Sequence, residues 1–359
     1  MIPKNIEEVT NEWLSDLLHT QVLGQSRTQI GQGVGLLGDI YRVGLKLGQT
    51  QKADALKSIV VKLPSSIEEN RQQAVALGMF EAEVRFYNEL APSAKTGLPT
   101  VFHAAVAPGG EDFVIVMQDL SDLVMVNQSD GMSAAQADAA VKVFASLHAL
   151  WWGHAQRDEF DWIPTMVGPR IEFVDDYLAQ VFPSFVDKFG AELPPGGLAV
   201  YEGFIGNYAK INQQLAQRSP WTIAHQDSRV ENMLFGPPGS GQVVVIDWQG
   251  LGRGPGAYDL GYTLGGSMEP EVRRANESQL LQSYHERLVD EGVEGYTLKQ
   301  LEEDYAHSHL MGGLATSILT GGAMDLSNVR GRQLIDTMAC RHAIAAMDHA
   351  GVERLAQFN

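Results

Sequence analysis

The sequence predicts an α+β protein in two parts, with a small β-rich first part and a mainly helical remainder. Apolar residues alternate with polar ones over residues 40–47, and β-branched runs follow at 58–63 and 113–117, as expected for strands. In the later part, apolar residues recur mostly at helical spacing. A chain of 359 residues is also long for one hydrophobic core. We therefore expect domains at 1–119 and 120–359.

The composition is that of an ordinary globular protein, with 44% hydrophobic and 19% charged residues. A net charge of -18 argues against nucleic-acid and anionic-membrane partners, because that attraction comes from Lys and Arg meeting phosphates. No apolar run approaches the length needed to cross a bilayer, and the first residues do not resemble a signal peptide. We expect a cytoplasmic monomer or homodimer. The single cysteine, Cys340, cannot form an internal disulfide.

The chemistry is concentrated in the segment from His225 to Asn232 and in a strand that ends at Asp247. Asp227 offers a carboxylate that can accept a proton from a substrate hydroxyl. Asn232 and Asp247 are hard oxygen ligands of the kind that magnesium takes. Phosphoryl transfer from a metal-bound nucleotide needs such a set, since the protein mainly positions reactants and neutralises charge. The Gly/Pro-rich run at 235–241 would fold the second strand back toward the first.

The pattern H-x-D-x-x-x-x-N from His225 to Asn232, followed by I-D-W-Q around Asp247, resembles the aminoglycoside phosphotransferase superfamily. The later G-P-G-A-Y-D-L at 254–260 resembles its ecdysteroid-kinase-like subgroup. The resemblance implies a two-lobed protein-kinase-like fold that binds ATP and Mg²⁺ and transfers the γ-phosphoryl group to a hydroxyl of a small molecule. It makes Asp227 the base, and Asn232 and Asp247 the metal ligands.

The same resemblance assigns supporting roles around the central motif. Asp259 would brace the catalytic loop as well as cap a helix, and His225 would shape the loop. Gln226 stands where the family usually has glycine, and a side chain is tolerated there if φ is negative. Arg229 has three candidate partners, namely a phosphate, Glu231 or solvent. The structural roles of Arg229 are favoured over the phosphate contact.

Gly33, Gly35 and Gly38 match the pattern G-x-G-x-x-G, for which two interpretations compete. In a dinucleotide-binding fold the glycines lie between a strand and a helix, which would indicate a nicotinamide-dependent oxidoreductase. Here an alternating strand pattern at 40–47 follows, and then a lysine on a strand. That order favours a β-hairpin flap whose backbone amides lie over the nucleotide phosphates.

Lys62 interrupts the apolar strand pattern at 58–63. One interpretation is a solvent-pointing lysine on an edge strand. By resemblance to the kinase-like fold, Lys62 contacts the α- and β-phosphates and is held by a helix carboxylate. A helix predicted over 67–90 offers Glu81 and Glu83 on opposite edges of its apolar stripe, so helical geometry does not choose between them. The family-like pattern E-x-x-F-Y selects Glu83.

Met117 to Asp119 resemble the hinge at which main-chain groups of the family bind an adenine edge. An ordinary hairpin followed by a loop is the alternative. The helical region 153–220, which we expect to be interrupted at Pro169 and Pro183 among other prolines, is where the family forms part of its acceptor site. The sequence does not single out acceptor-binding residues there.

A second class of function fits the nucleotide-binding residues equally well. A regulatory module without transfer activity would keep Lys62, Asn232 and Asp247 and would need no acceptor. The intact Asp227 argues against it. The identity of the acceptor does not follow from the fold, because members of the superfamily act on several kinds of hydroxyl compound.

Overall fold

The computed structural model describes residues 2–31, 38–48, 56–323 and 329–358. The chain divides into two compact units, which are Met1–Asp122 with Ile246–Gly250, and Leu123–Val245 with Leu251–Asn359. We call these the first and the second unit. The short segment Ile246–Gly250 thus belongs to the first unit, although it is flanked in sequence by residues of the second.

The described residues of the first unit form an antiparallel sheet with three short helices. In chain order the elements are α1 (Asn11–Leu18), β1 (Val22–Ile30), β2 (Gly38–Leu47), β3 (Ser58–Pro64), α2 (Glu68–Ala76), α3 (Met79–Arg85), β4 (Val101–Val106) and β5 (Phe113–Gln118). The strand order is β1-β2-β3-β5-β4, so β3 is the middle strand. Thr10 caps α1 by accepting a hydrogen bond from the Trp13 amide.

Strands β1 and β2, which flank the glycine pattern, decide between its two interpretations. Ile30 near the end of β1 pairs with Ile40 of β2, and the two strands are antiparallel. Residues 32–37, which include Gly33 and Gly35, lie outside the described residues. Because a strand and not a helix begins at Gly38, the dinucleotide-binding interpretation is wrong.

The helical region after β3 differs from the single helix expected over 67–90. The structure has α2, then α3, and then a π-helical turn at Phe86–Leu90. Gly78 precedes α3 with φ 67°, a left-handed conformation that side chains with a Cβ rarely adopt. The expectation of one continuous helix is wrong, because this glycine turns the chain between two helices.

The second unit is mainly helical in its described part. In chain order its elements are β6 (Val124–Met125), α4 (Ala134–Ala149), α5 (Pro169–Phe189), α6 (Gly197–Phe204), α7 (Tyr208–Arg218), β7 (Trp221–Ala224), β8 (Met233–Phe235), β9 (Val243–Val245), β10 (Gly252–Pro255), α8 (Ala257–Ser267), α9 (Pro270–Asp290), α10 (Leu298–Ser308), α11 (Gly312–Ala323), α12 (Val329–Asp348) and α13 (Gly351–Leu355). Strands β6, β8 and β9 form one small sheet, and β7 pairs with β10. The predicted α+β class, with a β-rich and a mainly helical part, is confirmed.

Helix α5 runs without interruption through Pro183, so the expected break at that residue is wrong. Pro169 occupies the first turn of the helix, where a missing amide is tolerated. The side chains of Phe185 and Phe189 are buried and face Gly321 of α11, where a Cβ would lie 2.8 Å from the Phe185 ring. This close packing stabilises the helix despite the proline. None of the described helices has both the length and the apolar composition needed to span a membrane.

Candidate active site

Lys62 projects from β3 in the middle of the sheet, and its side chain is buried. Its Nζ atom lies 2.6 Å from Oε2 of Glu83 and 2.7 Å from Oδ1 of Asp247. The interpretation of Lys62 as a solvent-pointing lysine on an edge strand is therefore wrong. The first unit thus brings one buried cation together with two carboxylates, one of which comes from its distant segment Ile246–Gly250.

This cluster has one positively charged group and two carboxylates, and the imbalance affects the pKa values of its members. Burial lowers the pKa of Lys62, but Asp247 and Glu83 more than offset this effect, so the pKa is raised and the ammonium stays protonated. Burial raises the pKa of Glu83 to about 7; the charge of Asp247 adds to the rise, and Lys62 opposes it. One ammonium cannot fully neutralise two carboxylates. Uptake of a proton by Glu83 relieves this imbalance, in line with its raised pKa.

The structure pairs Lys62 with Glu83 and not with Glu81. Helix α3 begins after the turn at Gly78, and this start places Glu83 on its buried face while Glu81 is exposed. The choice between these two glutamates, which helical periodicity left open, is thus made by the position of the helix against β3.

Asp247 lies on a short segment that the first unit holds by aromatic packing. The ring of the adjacent Trp248 is fully buried and stacks on Phe86, with ring centroids 4.0 Å apart and an interplanar angle of 7°. Asp247 itself has φ 66°. Such a conformation is unfavourable for a residue with a side chain and persists only where its surroundings enforce it. The stacking of Trp248 supplies that restraint and keeps Asp247 against Lys62.

Gly38, the described glycine of the predicted phosphate flap, begins β2 opposite Pro64. A Cβ at this position would lie 3.0 Å from the Leu63 carbonyl oxygen and 3.4 Å from Cε of Lys62. Glycine therefore allows β2 to pass close to the lysine side chain. The contact of Gly33, Gly35 and Gly38 with a nucleotide stays a prediction.

The predicted hinge residues are fixed at the end of β5. Met117 pairs with Val60 of β3, and the Gln118 amide donates to the carbonyl of Thr100. Asp119 accepts hydrogen bonds from Arg42 Nε at 2.9 Å and from Ser58 Oγ at 2.6 Å.

The side chain of Asp119 therefore has a structural role. Burial raises the pKa of this carboxyl, but Ser58 and Arg42 outweigh that effect and lower it. The main-chain role in adenine binding stays a prediction for Met117 and Asp119.

In the second unit, Asp227 is a half-buried carboxylate that three side chains contact. The hydroxyl of Tyr262 donates to Oδ1 at 3.0 Å, and Nδ2 of Asn232 donates to Oδ2 at 3.1 Å. Arg229 forms an ion pair with Oδ2 of Asp227, which was not among its expected partners. Its Nε atom also lies 3.9 Å from Oε2 of Glu231, the partner that was expected. These contacts hold the Asp227 side chain in one orientation.

Asp259 braces the loop that carries Asp227. Its carboxylate accepts from the amides of His225 at 2.7 Å and Gln226 at 2.9 Å, and it contacts Nε2 of His148 at 3.1 Å. Burial raises the pKa of Asp259, but the hydrogen bond and charge of His148 outweigh this and lower it. His225 accepts from the Asp227 amide through Nδ1, so the loop-shaping roles expected of Asp259 and His225 are observed.

Gln226 does not meet the condition under which a side chain was expected to fit the loop. Its φ is 66° and not negative. The hydrogen bond from its amide to Asp259 holds the residue in this conformation. A glutamine thus occupies the kind of backbone position that ordinarily favours glycine.

Tyr262 is a site residue that the sequence patterns did not identify. It lies in α8 three positions after Asp259, and residues at this spacing share one face of a helix. Because Asp259 contacts the loop, position 262 is expected on the same face. The spacing was therefore a usable signal for Tyr262.

Asn232 and Asp247 have the chemistry needed to ligate Mg²⁺. The two hydrogen bonds of the Asn232 side chain both use Nδ2, which leaves Oδ1 as a hard donor. Asp247 adds a carboxylate in a cluster that carries excess negative charge. Among the described residues no group of three or more acidic, histidine or cysteine side chains is arranged to hold a metal alone. Magnesium takes one or two protein oxygen ligands together with waters and phosphate oxygens, and its binding by Asn232 and Asp247 stays a prediction.

The sequence of this chain is similar to that of kinase-like proteins. A profile of the ecdysteroid kinase-like family matches residues 32–294. A kinase-like protein of Caenorhabditis elegans, itself uncharacterized, is 29% identical over 120 residues. That match covers 33% of this chain and 31% of the worm protein, so it spans about a third of the length of this curated relative.

Solved structures show the same architecture over nearly the whole chain. A protein from Ralstonia eutropha JMP134, provisionally described as an aminoglycoside phosphotransferase, has a TM-score of 0.56 at 14% identity, with 97% of this chain and 98% of that chain covered. The GDP complex of an aminoglycoside 2′-phosphotransferase-IIIa has a TM-score of 0.54 at 12% identity, covering 96% and 99%. A choline/ethanolamine kinase family protein from Mesorhizobium loti has a TM-score of 0.50 at 16% identity, covering 98% and 100%. The fold is protein-kinase-like.

Proposed function

Because this chain belongs to the ecdysteroid kinase-like family, we propose that it transfers the γ-phosphoryl group of ATP, with Mg²⁺, to a hydroxyl of a small-molecule acceptor. The observation that carries this proposal is the buried contact of Lys62 with Glu83 and Asp247. A lysine held between two carboxylates is kept charged and in a fixed position, as a phosphate-binding group must be.

In this proposal the first unit binds the nucleotide. Lys62 contacts phosphate oxygens, Glu83 holds Lys62 in place, and the segment from Gly33 to Gly38 covers the phosphates. Main-chain groups near Met117 and Asp119 bind the base. Mg²⁺, held by Asn232 and Asp247, would neutralise charge on the phosphate oxygens.

Asp227 acts as the general base and orients the acceptor hydroxyl. The contacts from Tyr262 and Asn232 keep its carboxylate in one rotamer, so no reorientation is needed when the acceptor arrives. Arg229 also forms an ion pair with this carboxylate. In the proposed reaction the acceptor hydroxyl replaces Arg229 at one of the carboxylate oxygens.

The direct test is a mass-spectrometric screen for ATP-dependent phosphorylation across hydroxyl-bearing metabolites, with Asp227→Asn as the comparison. Asparagine keeps the size of the side chain but cannot take up the proton. We expect turnover to fall about 10²- to 10⁴-fold, while thermal stabilisation by Mg²⁺ and ATP is retained.

Asp176→Asn, at an exposed position on α5, is a matched control that should keep full activity. Full activity of Asp227→Asn on the same acceptor would show that the base is another residue. If wild-type protein binds Mg²⁺ and ATP but phosphorylates nothing in a broad screen, the protein is a nucleotide-binding module and the proposal fails.

A further inference from the structure

Glu231 is a buried carboxylate to which the proposed reaction gives no role. It lies in the short 3₁₀ turn Val230–Asn232 that follows Asp227 in the chain, and only 6% of its surface is exposed. Its Oε1 atom accepts a hydrogen bond from the Gln128 amide at 3.3 Å, whereas Oε2 has no hydrogen-bond partner among the described residues. A buried charged oxygen without a hydrogen bond is costly and is uncommon in folded proteins.

Arg229 lies between this oxygen and Asp227. Its Nη1 atom forms the ion pair with Oδ2 of Asp227, and its Nε atom is 3.9 Å from Oε2 of Glu231. A hydrogen bond between charged groups of this kind is about 2.7–2.9 Å long, so a shift of the guanidinium by about 1 Å would complete a bond to Glu231. Arg229 therefore contacts one carboxylate directly and has a second one close beside it.

The side chain of Glu231 is fixed through its other oxygen, Oε1. The Gln128 amide donates to this atom, and the guanidinium of Arg330 lies 3.7 Å from it. Gln128 is held in turn by a hydrogen bond from its Nε2 atom to the Gly266 carbonyl oxygen at 2.7 Å. Oε2 is therefore kept beside Arg229 without a hydrogen bond of its own.

Asp227 has contacts other than Arg229 that fix its orientation. Tyr262 donates to Oδ1 and Asn232 donates to Oδ2, so both hydrogen bonds remain when the arginine moves away. Removing a cation from a carboxylate in a largely buried place is costly if it leaves the cation unpaired. With Glu231 beside it, Arg229 keeps a carboxylate partner when it leaves Asp227.

We propose that Glu231 is a positioning residue that receives Arg229 when the acceptor hydroxyl binds Asp227. The proposal rests on the phosphotransferase function proposed above and adds the step that frees the base. Before the acceptor binds, Arg229 pairs with Oδ2 of Asp227. When the acceptor binds, Arg229 moves to Oε2 of Glu231, and the hydroxyl donates to the freed oxygen of Asp227. No covalent bond changes in this step.

Glu231→Gln tests the exchange, because glutamine keeps the size of the side chain and loses the charge that attracts Arg229. Acceptor binding then has to displace Arg229 without a second carboxylate to receive it. We expect KM for an acceptor from the screen to rise about tenfold or more, the effect of one lost hydrogen bond to a charged group. Both kcat and KM for ATP should stay close to their wild-type values, and steady-state kinetics measure all three constants. A fall in kcat together with a rise in KM for ATP would indicate a role in loop structure alone and would overturn the proposal.

Arg229→Gln supplies the second half of a double-mutant cycle. In that background there is no cation to displace, so adding Glu231→Gln should cause no further rise in KM for the acceptor. Non-additivity of this kind is what a direct interaction between two residues predicts. Glu277→Gln is the control, because Glu277 is a half-buried glutamate of the same unit that pairs with Arg273 in α9. Loss of its charge should leave KM for the acceptor unchanged.

Glu231→Asp carries the test if Glu231→Gln shows no cooperative thermal transition and therefore does not fold. Aspartate keeps the charge but is one methylene shorter, so its carboxylate lies farther from Arg229. KM for the acceptor should again rise, and adding Arg229→Gln should abolish the rise.

The outcomes separate the proposal about Glu231 from the function on which it rests. If the wild type phosphorylates no acceptor of the screen, the proposed function fails, and the role of Glu231 with it. If the wild type phosphorylates an acceptor but neither variant of Glu231 raises KM for it, the role of Glu231 alone is overturned. The same holds if the rise persists in the Arg229→Gln background, since Arg229 would then leave Asp227 for another partner, such as a phosphate of the nucleotide.

Discussion

The carboxylate of Asp227 receives a hydrogen bond on each of its two oxygens. Tyr262 contacts Oδ1, while Asn232 and Arg229 contact Oδ2. Burial raises the pKa of Tyr262 well above its usual value, and the charge of Asp227 adds to the rise. Tyr262 therefore keeps its proton at neutral pH and can donate a hydrogen bond. We regard it as a positioning residue for Asp227, the proposed base.

Replacing Tyr262 with phenylalanine removes the donor to Oδ1 and keeps the aromatic ring. A hydrogen bond to a charged group contributes about 1.5–3 kcal/mol, so we expect kcat to fall about 10- to 100-fold with KM for ATP unchanged. Steady-state kinetics with an acceptor from the screen measure both constants. Tyr208→Phe is the control, because Tyr208 is a buried tyrosine of the same unit whose hydroxyl pairs with Tyr258. Equal losses in both variants would contradict a specific role for Tyr262.

At the scale of elements, the turn at Gly78 sets where α3 begins and therefore which glutamate is buried. Gly78 has φ 67°, and a Cβ there would meet nothing within 4 Å. Any cost of a side chain at this position thus comes from the backbone conformation and not from a clash. A substitution at Gly78 therefore tests the backbone conformation of the turn without disturbing the packing around it.

Gly78→Ala should destabilise the protein by about 1–2 kcal/mol, because alanine is strained in the left-handed region. Asparagine enters this region more readily, so Gly78→Asn should lose less than half as much. Thermal unfolding followed by calorimetry compares the two variants. Equal losses from alanine and asparagine would show that the conformation of Gly78 is not the source of the effect.

Local patterns predicted most strands and helices, since alternation and helical spacing reflect which face of an element is buried. They failed at Gly78, where one glycine divides a continuous helical pattern, and at Pro183, where packing against α11 outweighs a local breaker. They also could not show that Asp247 reaches Lys62, because the two lie 185 residues apart in the sequence. Periodicity carries no information about contacts of that range.

For the whole molecule, buried histidines of the second unit make stability depend on pH. Burial lowers the pKa of His307 to about 4 and that of His342 to about 3, and it lowers the pKa of His309 as well. In the unfolded chain these groups take up protons below about pH 6.5. Their contribution to stability is therefore present above pH 6.5 and is lost as the pH falls toward 4.

We expect the melting temperature to fall steeply from pH 6.5 to 4, with each buried histidine contributing up to about 1.4 kcal/mol per pH unit. His307→Gln should make the slope shallower, since glutamine does not titrate and can still donate to the Ile211 carbonyl that His307 contacts at 2.9 Å. His154→Gln, at an exposed position, is the control. An unchanged slope in His307→Gln would contradict the assignment of acid sensitivity to buried neutral histidines.

The stacking of Trp248 on Phe86 also has a consequence for how the protein is made. Lys62 and Asp247 are 185 residues apart, and at about 5–20 residues per second the ribosome needs about 10–40 s to reach the second after the first. During that time the nascent first unit lacks its last segment, so Phe86 has no stacking partner and Lys62 has only Glu83. A protein fragment that ends at residue 122 would lack the segment Ile246–Gly250 altogether. The first unit of this chain is therefore completed only after residue 250 has been translated.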